Sequence, residues 1–400
     1  MRGSTSILLI IWFFILPAFN SASQSIAVQF SDVAEFYEFG KQIVFQVKIT
    51  SDEQIKELNL FLEPEGQETR IETIRPNQQG EVIYAYDLEK NPLRPFTRVT
   101  YWYRVITSKD SKYYSSKNTF EYLDNRFDWQ DLENDQFHVY WYRGDLSFGQ
   151  MVLNVAQAGL KSAQTYLKTS PPTPLRIFVY TSTTDLQSAL QLSQQSWVAG
   201  HASPDLGIIL ISIPQSPEQR LELERQLPHE IVHILQYQKL GDSYQKLPVW
   251  LIEGTASLAE LYPNPDYQWV LERTASQNAL IPFSNLCSVF PQEASGAFLA
   301  YAQSTSFVRY LYEKFGVTRM DELMQNYQDG LGCEQGVDAT FGISLKQLES
   351  NWQREALGID THILVLQNLA PYLLLAIALL FPPIIFSIHS SKKSGEGKSP

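Results

Sequence analysis

Pro228-His229-Glu230-Ile231-Val232-His233 opens the stretch that decides how this chain is read, and Val249-Trp250-Leu251-Ile252-Glu253-Gly254 closes it. His229 and His233 are four apart. On a helix they share one face, and both imidazoles reach a single metal ion. Glu230 lies beside them, placed to take a proton from an activated water. Glu253 follows twenty residues after His233, in a second helix-like run, and returns a carboxylate as third ligand. No cysteine is near, so a closed structural site lacks its fourth protein ligand, and an open position is left for water. These residue types in this order predict a hydrolytic zinc centre. The plain alternative is a surface helix carrying two ordinary histidines. Against it, the chain has six histidines in all, and two of them flank this glutamate.

Around these residues the chain resembles the gluzincin metallopeptidases. Trp250-Leu251-Ile252-Glu253-Gly254-Thr255-Ala256 is similar to the Trp-Leu-Asn-Glu-Gly-Phe-Ala of the M1 aminopeptidase family, and Glu260 falls where that family often has a glutamate. The segment from Tyr301 to Leu311 is similar to the one that begins with that family's catalytic tyrosine. The likeness covers residues 135–358 and is greatest to the compact peptidase MA-like domains. It implies zinc held by His229, His233 and Glu253, with Glu230 as base. It also implies that Tyr301 donates a hydrogen bond to the developing oxyanion. The reading of Tyr301 without that likeness is a core aromatic, one of twenty-one tyrosines. The M1 Gly-x-Met-Glu-Asn segment has no counterpart: none of the four methionines precedes Glu-Asn. The amine anchor of an exopeptidase is therefore missing in that form, which favours endopeptidase or specialised activity.

The net charge of −12 argues against a nucleic-acid partner, which needs a basic face, and its plain meaning is solubility. The N-terminus carries Arg2, an apolar run from Ile7 to Phe19 and then Ser21-Ala22-Ser23. This predicts a secretory signal over residues 1–23, with an uncleaved anchor as the alternative. Leu369 to Ile388 is free of charge over twenty residues and is followed by a lysine-bearing tail. We expect one transmembrane helix within 363–388, a cytoplasmic tail over 389–400, and the bulk of the chain on the extracytoplasmic side of the cell membrane. Cys287 and Cys333 are the two cysteines. Such a location permits a disulfide between them, and two buried thiols are the alternative.

Residues 24–122 read as all-β. Strands are expected at Ser25–Phe30, Gln42–Ile49, Glu57–Leu62, Glu81–Tyr86 and Thr97–Thr107, with turn clusters between them. About seven short strands over this length suggest an immunoglobulin or fibronectin-like sandwich. Its plain role is a spacer, and its sharper role is binding a surface partner. Residues 123–134 are polar and acidic and read as a linker. In 135–360 strands are expected at Phe137–Trp141, Leu175–Tyr180 and Gly207–Ile213, and helices at Phe148–Leu167 and Thr183–Leu192. The chain then turns helical. Ser216-Pro217-Glu218-Gln219 is a capping signature, Pro228 predicts a kink or a fresh helix start, and Gly241 closes the histidine helix. The 207–213 strand is either core or a sheet edge that pairs with an extended peptide. His201 precedes it and reads either as a residue lining the cleft or, as a lone loop histidine more often is, as incidental.

The whole is α+β. The expected activity is hydrolysis of peptide bonds in a peptide or protein substrate. Two alternatives stand: a catalytically idle binding protein braced by zinc, and a zinc hydrolase acting on a non-peptide bond.

Overall fold

The computed structural model describes residues 27–75, 77, 80–190, 200–359, 369–375, 377 and 379, and the chain divides into two compact units, at Arg126/Phe127. The signal expected over residues 1–23 and most of the apolar 369–388 run lie outside the described residues. Residues 369–375 are helical, and no helix among the described residues is long and apolar enough to cross a membrane.

The first unit is built from β1 (Val28–Glu38), β2 (Gln42–Ser51), β3 (Ile55–Pro64), β4 (Arg70–Ile74), β5 (Glu81–Asp87), β6 (Thr97–Thr107), β7 (Lys112–Tyr114) and β8 (Asn118–Tyr122). They form two antiparallel sheets, β1-β2-β5 and β4-β3-β6-β7, with β8 also paired to β6. β6 shows why. Val99, Tyr101, Tyr103 and Val105 alternate with polar or flat residues and are fully buried, as a period of two requires. Across the interior, Tyr101 meets Phe45 of β2 with ring centroids 5.0 Å apart, so the sheets pack face to face. β1 is longer than expected: it runs on past Phe30 through a bulge between Ser31 and Ala34.

The second unit starts with β9 (Gln130–Glu133), inside the run expected to be a linker. It pairs with β10 (Phe137–Trp141), so this acidic stretch is an exposed edge strand rather than a connector. Then come α1 (Leu146–Tyr166), β11 (Leu175–Tyr180), α2 (Thr183–Leu190), β12 (Gly200–Ser203) and β13 (Ile208–Ser212). The sheet order is β12-β13-β11-β10-β9, parallel in its three central strands and antiparallel at both edges. α1 begins earlier than its apolar pattern suggests because Asp145 caps it, accepting from the Ser147 and Phe148 amides at 3.0 and 3.2 Å.

β13 is an interior strand with every residue buried, so the expectation that it offers an edge to a peptide is corrected. The edge beside the helical part is β12.

The helices are α3 (Gln219–Leu240), α4 (Val249–Leu258), α5 (Asp266–Ser276), α6 (Ala294–Gln328, broken at Gly316), α7 (Cys333–Phe341) and α8 (Leu345–Ala356), with short 3-10 turns at Gly241–Lys246 and Phe283–Leu286. Trp250, Phe283, Phe307 and Trp352 form a buried aromatic knot that holds α4, α6 and α8 together. Truncating one such ring typically costs about 3–5 kcal/mol.

Candidate active site

α3 presents the histidines, and it does so through a proline. No fresh start occurs at Pro228; α3 continues through it. Proline has no N–H, so the carbonyl of Glu224, four residues earlier, loses its helical partner. That carbonyl accepts instead from the Leu261 amide at 2.9 Å. This bond docks the end of α4 and the residues just beyond it against α3, next to Glu260. At the start of α3, Ser216 does not cap the helix. Its hydroxyl accepts from the Glu218 amide at 3.2 Å, and Glu218 itself makes no side-chain cap.

The structure brings all five expected residues together. One ligand atom each from His229, His233 and Glu253 lie within 4.8 Å of one another. His229 Nε2 is 3.3 Å, and His233 Nε2 3.9 Å, from Glu253 Oε2. The other ring nitrogens are already occupied. His229 Nδ1 faces Glu260 Oε1 at 3.3 Å and Ser257 Oγ at 3.4 Å. His233 Nδ1 faces Tyr244 Oη at 3.1 Å and Gln236 Oε1 at 3.4 Å. With Nδ1 donating to these acceptors, each Nε2 would be the nitrogen left to face a metal. Two imidazoles and one carboxylate suit zinc, so the residues fit the ion.

Electrostatics tell the same story. Burial disfavours a charged His229, but hydrogen bonds to Glu253 and Glu260 and the charge of Glu230 outweigh it, raising the imidazole to about 10. Burial also disfavours an ionised Glu253, yet His233, His229 and the Tyr301 hydroxyl together hold it below the usual carboxylate range. A concentration of negative charge this strong is what a dication would neutralise.

Glu230 is 8 % exposed and lines the same cleft. Gly200 at the head of β12 lies against it: a Cβ there would come within 2.5 Å of Glu230 Oε1, so any larger residue would make the Glu230 carboxylate shift. Gly254 plays the matching part on α4. A Cβ there would meet the Ser304 carbonyl at 2.6 Å, so the Glu-Gly pair gives one residue to the candidate metal group and the next to close packing on α6. Tyr301 lies one turn before Ser304 on α6. Its ring is 6.2 Å from that of His229, and burial, then Glu253 and Glu230, raise its hydroxyl well above the ordinary value. The cleft has a volume of roughly 570 Å³ and is also lined by His201, Arg225 and Tyr267.

Sequence reasoning did not find Tyr244, Ser257, Gln236, Arg225 or Gln226. Ser257 lies one turn after Glu253, a spacing that does carry a signal. Tyr244 sits in a 3-10 turn with no periodicity to mark it.

A mixed sheet, a His-Glu-x-x-His helix against its edge strand and a glutamate from the next helix define a metallopeptidase-type centre. The family model of the Peptidase MA superfamily matches residues 155–358, half of the chain, and the chain belongs to that superfamily. No curated protein matches it. Among solved structures, a polysaccharide deacetylase of Bacillus cereus is 9 % identical, covering 43 % of this chain and 57 % of its own at a TM-score of 0.20. The protein OgpA of Akkermansia muciniphila is 18 % identical, covering 24 % and 28 % at 0.21. The bromide derivative of BhCBM56 is 9 % identical, covering 22 % and 88 % at 0.18. Likenesses this small carry no argument.

Proposed function

We propose that the chain is a membrane-anchored zinc metallopeptidase acting on peptides or proteins on the extracytoplasmic side. The observation that carries the catalytic part is the convergence of His229, His233 and Glu253 beside a buried Glu230. When bound, zinc supplies Lewis-acid activation of the attacking water and of the scissile carbonyl. Glu230 takes the water's proton and later returns it to the leaving amine. Tyr301 donates a hydrogen bond where negative charge develops on the carbonyl oxygen; its raised pKa keeps it protonated for that task. Glu260, with Ser257, fixes the His229 ring, and Tyr244 with Gln236 fixes that of His233. β12 offers a sheet edge along which an extended substrate can lie, with Gly200 opening its passage past Glu230.

The location rests on the apolar 369–388 run and its lysine tail, and the Cys287–Cys333 disulfide supports an oxidising compartment. The immunoglobulin or fibronectin-like reading of the first unit is supported by two facing antiparallel sheets.

The test uses the full chain with its metal. It should hold about one zinc, as a three-ligand centre does. Glu230→Gln should keep zinc and fold but lose about 10²–10⁴-fold in turnover of a peptide mixture. Tyr301→Phe keeps the ring and should lose on the order of 10²–10³-fold. An active Tyr301→Phe rejects the oxyanion role alone. Two fully active variants, or a folded chain without zinc affinity, overturn the peptidase reading.

A further inference from the structure

We infer that Arg225 and Gln226 form a carboxylate-recognising subsite, so that the preferred substrate bears an acidic side chain or a free C-terminus beside the scissile bond; this rests on the peptidase reading above. Arg225 stands one turn before His229 on α3, and Gln226 one turn before Glu230. Both line the cleft. One turn is about 5.4 Å. An extended peptide advances about 3.3 Å per residue, so the pair addresses a position one to two residues from the bond to be cut.

One buried polar atom of each side chain has no hydrogen-bond partner. Arg225 Nε is buried and makes no hydrogen bond, although its guanidinium rests 5.7 Å from the centre of the Tyr262 ring. Gln226 Nε2 donates to Glu222 Oε2 at 3.2 Å, which fixes the amide and leaves buried Oε1 with no donor. Buried polar atoms almost always find a partner, and leaving one orphaned is costly. A donor fork next to a single acceptor matches the carboxylate and backbone N–H of one substrate residue.

Charge points the same way. Among the described residues, Arg225 is the one arginine or lysine lining the cleft, whose other fixed charges are Glu230, Glu253 and Glu260. In a chain of net charge −12, an anionic substrate needs a local cation to settle there. A neutral or basic peptide leaves the Arg225 N–H unsatisfied.

The experiment measures binding on the full-length, zinc-loaded Glu230→Gln protein, with fluorescently labelled peptides of one neutral sequence. One is amidated, one amidated with an internal glutamate, one has a free C-terminus, and one is amidated with an internal lysine. The glutamate or the free-carboxylate peptide should bind about 10- to 100-fold tighter than the neutral amidated one, the range of a charge-assisted hydrogen bond. Which of the two gains identifies the source of the carboxylate. Adding Arg225→Gln should abolish the preference and Arg225→Lys should keep part of it. Equal affinities for all four peptides, or a preference that survives Arg225→Gln, overturn the proposal. If the Arg225 variants fail to fold, the four-peptide comparison on the single variant still decides. Wild-type cleavage without acidic preference removes the subsite only. Carboxylate-selective binding without any cleavage removes the peptidase reading only.

Discussion

His229 is gripped through both ring nitrogens, by Glu253 on one side and Glu260 on the other. In the metal-free chain this pair of carboxylates raises the imidazole to about 10, from an unfolded value near 6.5. The sign follows directly. The protonated ring stabilises the metal-free fold fully below about 6.5, and that contribution is lost as pH rises through about 10. Zinc must displace the same proton, so its affinity should rise with pH across the neutral range. Calorimetric zinc titrations in buffers of different ionisation enthalpy should report about one proton released near pH 7.5. Zinc affinity that does not change between pH 6.5 and 9 would refute this. The histidines and Glu253 were legible in the sequence because helix spacing alone puts such residues on one face. Glu260 was visible only through resemblance, since its partner His229 lies 31 residues away on another helix. For Tyr244, Arg225 and Gln226, what marks them is what surrounds them in three dimensions, and no spacing rule encodes that.

Among the elements, α4 does the most with the least length. Its ten residues supply Glu253, Ser257 and the Gly254 contact with α6. Gly254→Ala should push α6 away from α4, costing about 1–3 kcal/mol as overpacking does, and should also displace Tyr301, which lies one turn from the contact. Thermal unfolding and turnover should therefore fall together. An unchanged melting temperature would show that the two helices have room to spare. Strong alternation made β6 readable, and the apolar run of β11 made it readable to the residue. β9 and β12 were not readable: one is acidic and exposed, the other short and rich in small residues, and both are strands because a neighbour offers a ladder. Pro228 misled in the other direction. Its local cost predicts a break, but the carbonyl it strands is satisfied by Leu261, so the helix continues.

At the scale of the molecule, the first unit carries strands and a buried aromatic interior, and the second carries the chemistry. The proposed topology has its own test. Protease added to intact cells should digest both units and spare the lysine-bearing tail; protection of the segment around His229 would reverse the orientation.

Cys287 and Cys333 are joined across 46 residues, with Cα atoms 6.0 Å apart. Closing such a loop is worth about 4 kcal/mol in the chain-entropy account. The bridge lies at the root of α4: the Cys287 carbonyl accepts from the Val249 amide at 2.9 Å, and Trp250 Nε1 reaches Cys333 Sγ at 3.4 Å. During synthesis the chain emerges in order, at about 5–20 residues per second. The histidines, Glu253 and Tyr301 all appear before Cys333. For the seconds in between, these residues have all been made, yet α4, which carries Glu253, is untied. The tie at the root of α4 therefore closes only after the whole of α6, and with it Tyr301, has been made.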